Sequence, residues 1–461
     1  MRCKKGLAFV TMAILIVVSS SQIIPSNGLV EILPVPREES IIYYAGSNTN
    51  FESFNYFIPG GCPWLSGYQM YIIEWDWYYD HYTGNITLWK TTGWEYSDNY
   101  TTLIYHIRPG VKWNDGVPYT AEDYVFTWQM LKDNPELLGH EEALYVESVE
   151  AIDNYTVVYH LKQPNPRAHW IFCQWGGRLG KIVPKHIWEN VDPTTFKNYP
   201  PVETGPYVLM ATYPDLKMYV WERDEDYWAK DVFGLFPEPK YSVWINQPPA
   251  DKRIMDMINN EVDVVMGRDI PADTLAMAME MNPNITKATT FDPSIITIRF
   301  NHQKYPLNMK EVRWAISYGI NREKYTSQDW FFSVVGGTKA AKYPFADTES
   351  NKKWVIPELH HEKYKLEYNP EKSKKILDDL GFIDRDGDGI RETPNGTRLS
   401  FKLLIPTSMT SPTRQIFIDI AMSLKDIGIE VTPEPATEAA WNMVYLGYGD
   451  MFPGGHCSIY C

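Results

Sequence analysis

The chain has 461 residues, of which 44% are hydrophobic and 22% charged, and a formal net charge of −15. The composition is that of a globular protein rather than a disordered one, and the length calls for two or three domains. The acidic balance argues against a nucleic-acid partner, whose affinity would rest on basic contacts.

Arg2, Lys4 and Lys5 precede an apolar run from Leu7 to Val18, with small and polar residues from Ser19 to Gly28. This order predicts an export signal over residues 1–28, since the run is too short for an ordinary membrane span. The alternative is an uncleaved anchor. Cys3 lies before the apolar run, so it is not placed as a lipid-carrying cysteine. Export suits five N-glycosylation tripeptides, beginning at Asn85, Asn99, Asn154, Asn284 and Asn395. Cys62, Cys173, Cys457 and Cys461 follow the signal. An oxidising compartment permits disulfides among them, and none is spaced with His as a zinc site needs.

Ile41 to Ala45 reads as a strand that ends in the polar loop Ser47-Asn48-Thr49-Asn50, followed by Phe51. The chain carries 17 Trp, 31 Tyr and 18 Phe. Trp and Tyr present flat apolar faces with a polar tip, so this abundance favours a stacking surface for a ligand, with Trp64, Trp75 and Trp175 as candidates, each with a place in the core as its alternative. Gly176, beside Trp175, could let a ligand approach the backbone.

Leu103, Tyr105 and Ile107 alternate with polar neighbours, which predicts a half-buried strand. Pro109-Gly110 and Asn114-Asp115-Gly116 are turns. Thr120 then caps a helix with Asp123 at the capping-box position. Val146 to Val149 and Thr156 to Leu161 read as two further strands. Past Thr204-Gly205-Pro206-Tyr207, where Gly205 is expected to allow a sharp turn, come strands at 207–209 and 218–221. A helix face at Ile254, Met257 and Ile258 and a strand over 261–265 follow.

Ile295 to Asn301 reads as a strand, and Asn308 as the cap of a helix that packs Val312, Ala315 and Ile316. Arg313 is read as a structural ion-pair partner. Asn369-Pro370-Glu371 opens another helix in the preferred order of cap, Pro and acid. Asp384, Asp386 and Asp388 stand at alternate positions with Gly389 sixth, like the first half of a calcium loop. The twelfth position is Asn395, so the bidentate acid is missing, and the reading is no cofactor, with calcium as the alternative. Strands at 399–405 and 429–432 flank a helix at 412–427, a βαβ unit with a parallel pair. Arg414 is read as solvated.

The stretch Arg108-Pro109-Gly110-Val111-Lys112-Trp113, Asp115-Gly116, Thr120-Ala121-Glu122-Asp123 and Val125 closely resembles the signature of the peptide-type, family-5 solute-binding proteins of ABC importers. Pro184-Lys185-His186 and Thr204-Gly205-Pro206-Tyr207 resemble further marks of that family. The Arg313 to Glu323 block does so too, with Gly319 and Asn321 as departures. The resemblance implies an α/β, two-lobed periplasmic-binding-protein fold with an additional small strand-rich domain. Lobe I would hold 29–63 and 203–290, the strand-rich domain 64–202, and lobe II 291–461. Lobe II would be incomplete, because family members continue past the point equivalent to Cys461, so the C-terminal part is expected to be truncated. The signature itself is expected to be scaffold. The loop after the first strand would lie at the ligand cleft, which makes Asn48, Asn50 and Phe51 ligand candidates.

The function implied is capture of an oligopeptide, or alternatively an oligosaccharide, by a secreted monomer. It would act in the periplasm or at the outer face of the cytoplasmic membrane and deliver its ligand to permease subunits. A secreted hydrolase is the rival class. Gly-x-Ser-x-Gly and His-Glu-x-x-His are both absent, although a glycosidase acid pair could hide among many carboxylates. A scaffold without a solute is the third class. No phosphate-binding Gly-x-x-x-x-Gly-Lys-Ser/Thr is present, as expected where another subunit hydrolyses ATP.

Overall fold

A computed structural model of the chain describes residues 15–18, 33–80, 83–173, 177–266, 270, 272–288, 295–326, 355–360, 364–407, 409, 411–436 and 449–456. Contacts divide the chain into two units. The first takes residues 1–267 and 276–290, and the second takes 268–275 and 291–459.

The strands of the first unit are β1 (Leu15–Val18), β2 (Ser40–Tyr44), β3 (Trp77–Tyr79), β4 (Ile86–Leu88), β5 (Thr91–Tyr96), β6 (Thr102–Ile107), β7 (Val146–Asp153), β8 (Thr156–Leu161), β9 (Tyr207–Tyr213), β10 (Met218–Arg223), β11 (Tyr241–Ile245), β12 (Val264–Val265) and β13 (Ile285–Ala288). Seven of them form one sheet in the order β13-β1-β12-β2-β11-β10-β9. β2 runs parallel to both β11 and β12. Strands buried on both faces read as continuous apolar runs, and all five residues of β11 are buried. The run Tyr-Ser-Val-Trp-Ile between Pro239 and Pro248 has strong β character and forms β11.

β1 falls inside the stretch expected to be an export signal, and it pairs antiparallel with β12 and β13. Cleavage after Ser19 would remove this strand, so a processed chain and this pairing exclude one another in any one molecule.

The strand-rich segment forms a second sheet, β5-β6-β8-β7. In β6 the burial alternates as expected, with Leu103, Tyr105 and Ile107 inward. Trp77, Trp113, Tyr119, Tyr124, Leu131 and Phe172 fill a core against it. The large sheet has its own core around Tyr43, Phe54, Tyr68, Trp75, Trp221 and Trp244.

The family-like stretch acts as scaffold by identifiable bonds. Arg108 donates from its guanidinium to the carbonyls of Leu88, Trp89 and Thr91. The helix Ala121–Asp133 starts with the capping box of Thr120 and Asp123, a device that adds about 1 kcal/mol. Asp123 also accepts from Trp113 Nε1 and the Lys185 amide. His186 Nε2 lies 2.6 Å from Asp115 Oδ2. Pro184-Lys185-His186 is therefore tied directly to the earlier turn and cap.

Gly205 has a different role from the one expected. Its φ is not positive, so no left-handed turn requires glycine there. A Cβ at this position would lie 2.4 Å from the carbonyl oxygens of both Tyr71 and Ile72. Glycine is needed for close backbone approach.

The second unit contains β14 (Ile295–Phe300), β15 (Ser400–Pro406), β16 (Glu430–Ala436) and β17 (Met451–His456) in the order β14-β17-β15-β16. The β15–β16 pair is parallel, as the βαβ reading requires. Leu307, Val312, Ile316, Phe401, Leu403 and Phe417 are among its buried core. Asn369 caps the helix Pro370–Asp379 by accepting from the Lys372 amide at 3.0 Å. Two local expectations fail. The cap of helix Lys310–Gly319 is Met309, one residue past Asn308, with no side-chain bond. Arg313 donates to the Leu307 carbonyl, where an ion pair was expected. Arg414 stays partly exposed and donates to the Thr407 and Met409 carbonyls just past β15.

Candidate functional site

The loop after β2 is built by side-chain bonds to distant backbone. Gly46 turns the chain at φ +70°, where a Cβ would meet the Trp64 carbonyl oxygen at 2.8 Å. Asn48 Nδ2 donates to that same carbonyl at 2.6 Å. Asn48 and Asn246 form a reciprocal clamp. The Asn48 amide donates to Asn246 Oδ1 at 3.0 Å, and Asn246 Nδ2 donates to the Asn48 carbonyl at 2.6 Å.

Asn50 Nδ2 donates to the Gly60 carbonyl at 2.9 Å, and its Oδ1 accepts from the Glu52 amide. The Tyr219 hydroxyl donates to the Asn50 carbonyl. Phe51 is buried and stacks on the Tyr219 ring with centroids 4.7 Å apart.

The candidate residues thus separate. Phe51 anchors the loop, and Asn50 spends both side-chain polar atoms holding it. Asn48 holds the loop through Nδ2 and through its clamp with Asn246. Trp64, whose carbonyl accepts from Asn48, is 54% exposed. Trp75 is not. It is 2% exposed and packs in the core edge-on to Tyr56, and hydrophobic burial of its large ring outweighs any use as a platform. Trp175 and Gly176 lie outside the described residues. Asn246 and Tyr219 were not anticipated, since each acts across more than 160 residues of sequence.

The first unit also holds three buried ionic groups. Lys181 Nζ meets Glu203 Oε2 at 2.5 Å, and the Tyr68 hydroxyl donates to the other oxygen of Glu203. Lys90 pairs with Asp76 at 3.5 Å, and Asp76 accepts from Tyr119 and Tyr124. Glu74 accepts from Tyr227, Trp228 and Trp89. Burial raises its carboxyl to about 7 against those donors. That value suits a general acid, but the donors are all protein groups and Glu74 is buried. The arrangement is structural and joins the strand-rich segment to the segment after β10.

In the second unit, Asp384, Asp386 and Asp388 are exposed and hold carboxylate oxygens within 4.8 Å of one another. Asp384 accepts from the amides of Gly387 and Gly389. Asp388 accepts from the Ile390 amide and pairs with Arg398, both of which hold its carboxyl below the usual range. Asn395, at the twelfth position, has its Oδ1 taken by Thr393 and Thr397. Arg398 already supplies positive charge here, and no bidentate acid completes a calcium site. The residues fit a self-satisfied turn better than a metal centre.

Residues 85–460 match the family model of bacterial extracellular solute-binding proteins, family 5. An oligopeptide-binding protein of Bacillus subtilis is 27% identical over 333 residues, which are 70% of this chain and 56% of that protein. The nickel-binding periplasmic protein of Escherichia coli is 24% identical over 367 residues, 76% of this chain and 63% of that protein. The chain therefore spans about three fifths of the length of these curated relatives. A periplasmic oligopeptide-binding protein of Thermotoga maritima superposes with a TM-score of 0.77 at 24% identity, covering 92% of this chain and 77% of that one. Its mannohexaose-bound structure gives 0.74 with the same identity and coverage. These neighbours share the α/β architecture of the two-lobed periplasmic binding proteins. The chain belongs to the family-5 bacterial extracellular solute-binding proteins.

Proposed function

We propose that this chain is the extracytoplasmic solute-binding component of an ABC importer, that it captures oligopeptides, and that it hands them to permease subunits as a monomer. The observation that carries the proposal is the family match over residues 85–460, together with relatives named for oligopeptide and dipeptide binding. Binding without turnover agrees with the buried, protein-satisfied state of Glu74, Asp76 and Glu203. Among the described residues no helix is long and apolar enough to cross a membrane. Placement outside the cytoplasm rests on the family and on the basic-then-apolar N-terminus.

One observation favours an oligosaccharide instead. Trp64 is 54% exposed, and an exposed tryptophan suits stacking on a pyranose ring. The Thermotoga maritima neighbour holds mannohexaose. Isothermal titration of the full chain with short peptides and with mannohexaose separates the two readings. Saturable heat with peptides at one site per chain supports the peptide reading. Heat with mannohexaose alone, lost in Trp64→Ala, replaces it with the glycan.

A further inference from the structure

The five glycosylation tripeptides are not equivalent in the fold. At Asn99-Tyr100-Thr101, Asn99 is exposed in the turn between β5 and β6. Its Oδ1 accepts from the Thr101 hydroxyl at 2.8 Å, the Thr101 amide at 3.3 Å and the Ser97 hydroxyl at 2.8 Å. At Asn395-Gly396-Thr397, in the other unit, Asn395 is also exposed. Its Oδ1 accepts from the Thr397 hydroxyl at 3.0 Å, the Thr397 amide at 3.4 Å and the Thr393 hydroxyl. The middle residue is left-handed in both, with φ 56° at Tyr100 and 84° at Gly396. That backbone folds the hydroxyl two residues on against the asparagine carbonyl. In both turns the asparagine is exposed, and among the described residues nothing accepts from its Nδ2.

The other three differ. Asn85 and Asn154 are exposed, but neither side chain accepts from its threonine. Asn284 is half-buried, with its amide donating to Asn282 Oδ1.

We infer that Asn99 and Asn395 are N-glycan attachment sites. This inference rests on the extracytoplasmic placement proposed above. The chemistry needs an accessible amide nitrogen, which is a weak nucleophile because its lone pair is delocalised into the carbonyl. A hydroxyl donating to Oδ1 makes the Nδ2 proton more acidic. The co-substrate is an oligosaccharide carried on a lipid pyrophosphate. The Nδ2–C1 bond forms, the C1–O bond to the pyrophosphate breaks, the lipid pyrophosphate leaves with the electron pair, and Nδ2 gives up one proton. A glycan at these turn tips displaces no packed side chain and adds a bulky hydrophilic group to the surface. At Asn99 the Tyr100 ring, 46% exposed and 5.6 Å from the Tyr96 ring, lies where the first sugar could rest.

The test is glycopeptide mass spectrometry on the full chain purified from the envelope and medium fractions of its source cells. The expected result is a sugar adduct on the peptides holding Asn99 and Asn395, and none on the peptide holding Asn284. Thr101→Ala and Thr397→Ala should each abolish the adduct at their own site, and Thr101→Ser and Thr397→Ser should restore it. Unmodified Asn99 and Asn395 in chain recovered from the envelope would overturn this inference alone, as would adducts that persist in the alanine variants. Chain found only in the cytosol would overturn the placement, and this inference with it.

Discussion

Replacing Gly205 by Ala is the sharpest single test of how the first unit is assembled. The added methyl would lie 2.4 Å from two carbonyl oxygens and 2.6 Å from the Ile72 Cα. All three are backbone atoms of the segment Tyr68–Ile72, so no flexible side chain can swing away. Overpacking costs about 1–3 kcal/mol where neighbours adjust, and here we expect the top of that range, about 3 kcal/mol. At roughly 2 °C per kcal/mol for a chain of this size, Tm should fall by about 6 °C. Gly387→Ala is the control. Its φ is +81° with no atom within 4 Å of a Cβ, so only the left-handed backbone is strained, at about 1 kcal/mol and roughly 2 °C. Calorimetric melts of both variants decide. Equal losses, or a Gly205→Ala loss below about 2 °C, would refute the close-approach argument.

Glu74 predicts a pH dependence with a definite sign. Its folded pKa is about 7 against an ordinary 4.5, so its contribution is fully present below the unfolded value and is lost as pH rises through 7. Denaturant midpoints should show a loss of about 3 kcal/mol between pH 4.5 and 7.5 that Glu74→Gln abolishes, and an identical pH slope in the variant would contradict this. For the Asp384 loop, Tm should be the same with calcium and with chelator, and Asp386→Ala should act equally in both. A calcium-dependent rise seen only in the wild-type chain would show that the loop takes the ion after all.

What was legible in the sequence was local. The capping box at Thr120 and Asp123 and the Asn369-Pro370 helix start each depend on neighbours within three residues, and both are present. The alternation of β6 and the parallel β15–β16 pair follow from periodicity that survives folding. The misses are tertiary. Trp75 and Trp64 look alike in sequence, and only packing makes one core and the other exposed. Asn48 points to a loop, but its clamp with Asn246 spans 198 residues. Gly205 looks like a turn residue because its close neighbours come from a segment more than 130 residues earlier.

The proposed activity is stoichiometric capture of a peptide without chemistry on it. The most direct measurement equilibrates the full chain with a defined pool of short peptides, removes unbound material, and identifies what is released on denaturation by mass spectrometry. Intact peptides at one per chain are the expected result. Cleaved peptides would show an enzyme, and a chain that retains no peptide at all would contradict the claim.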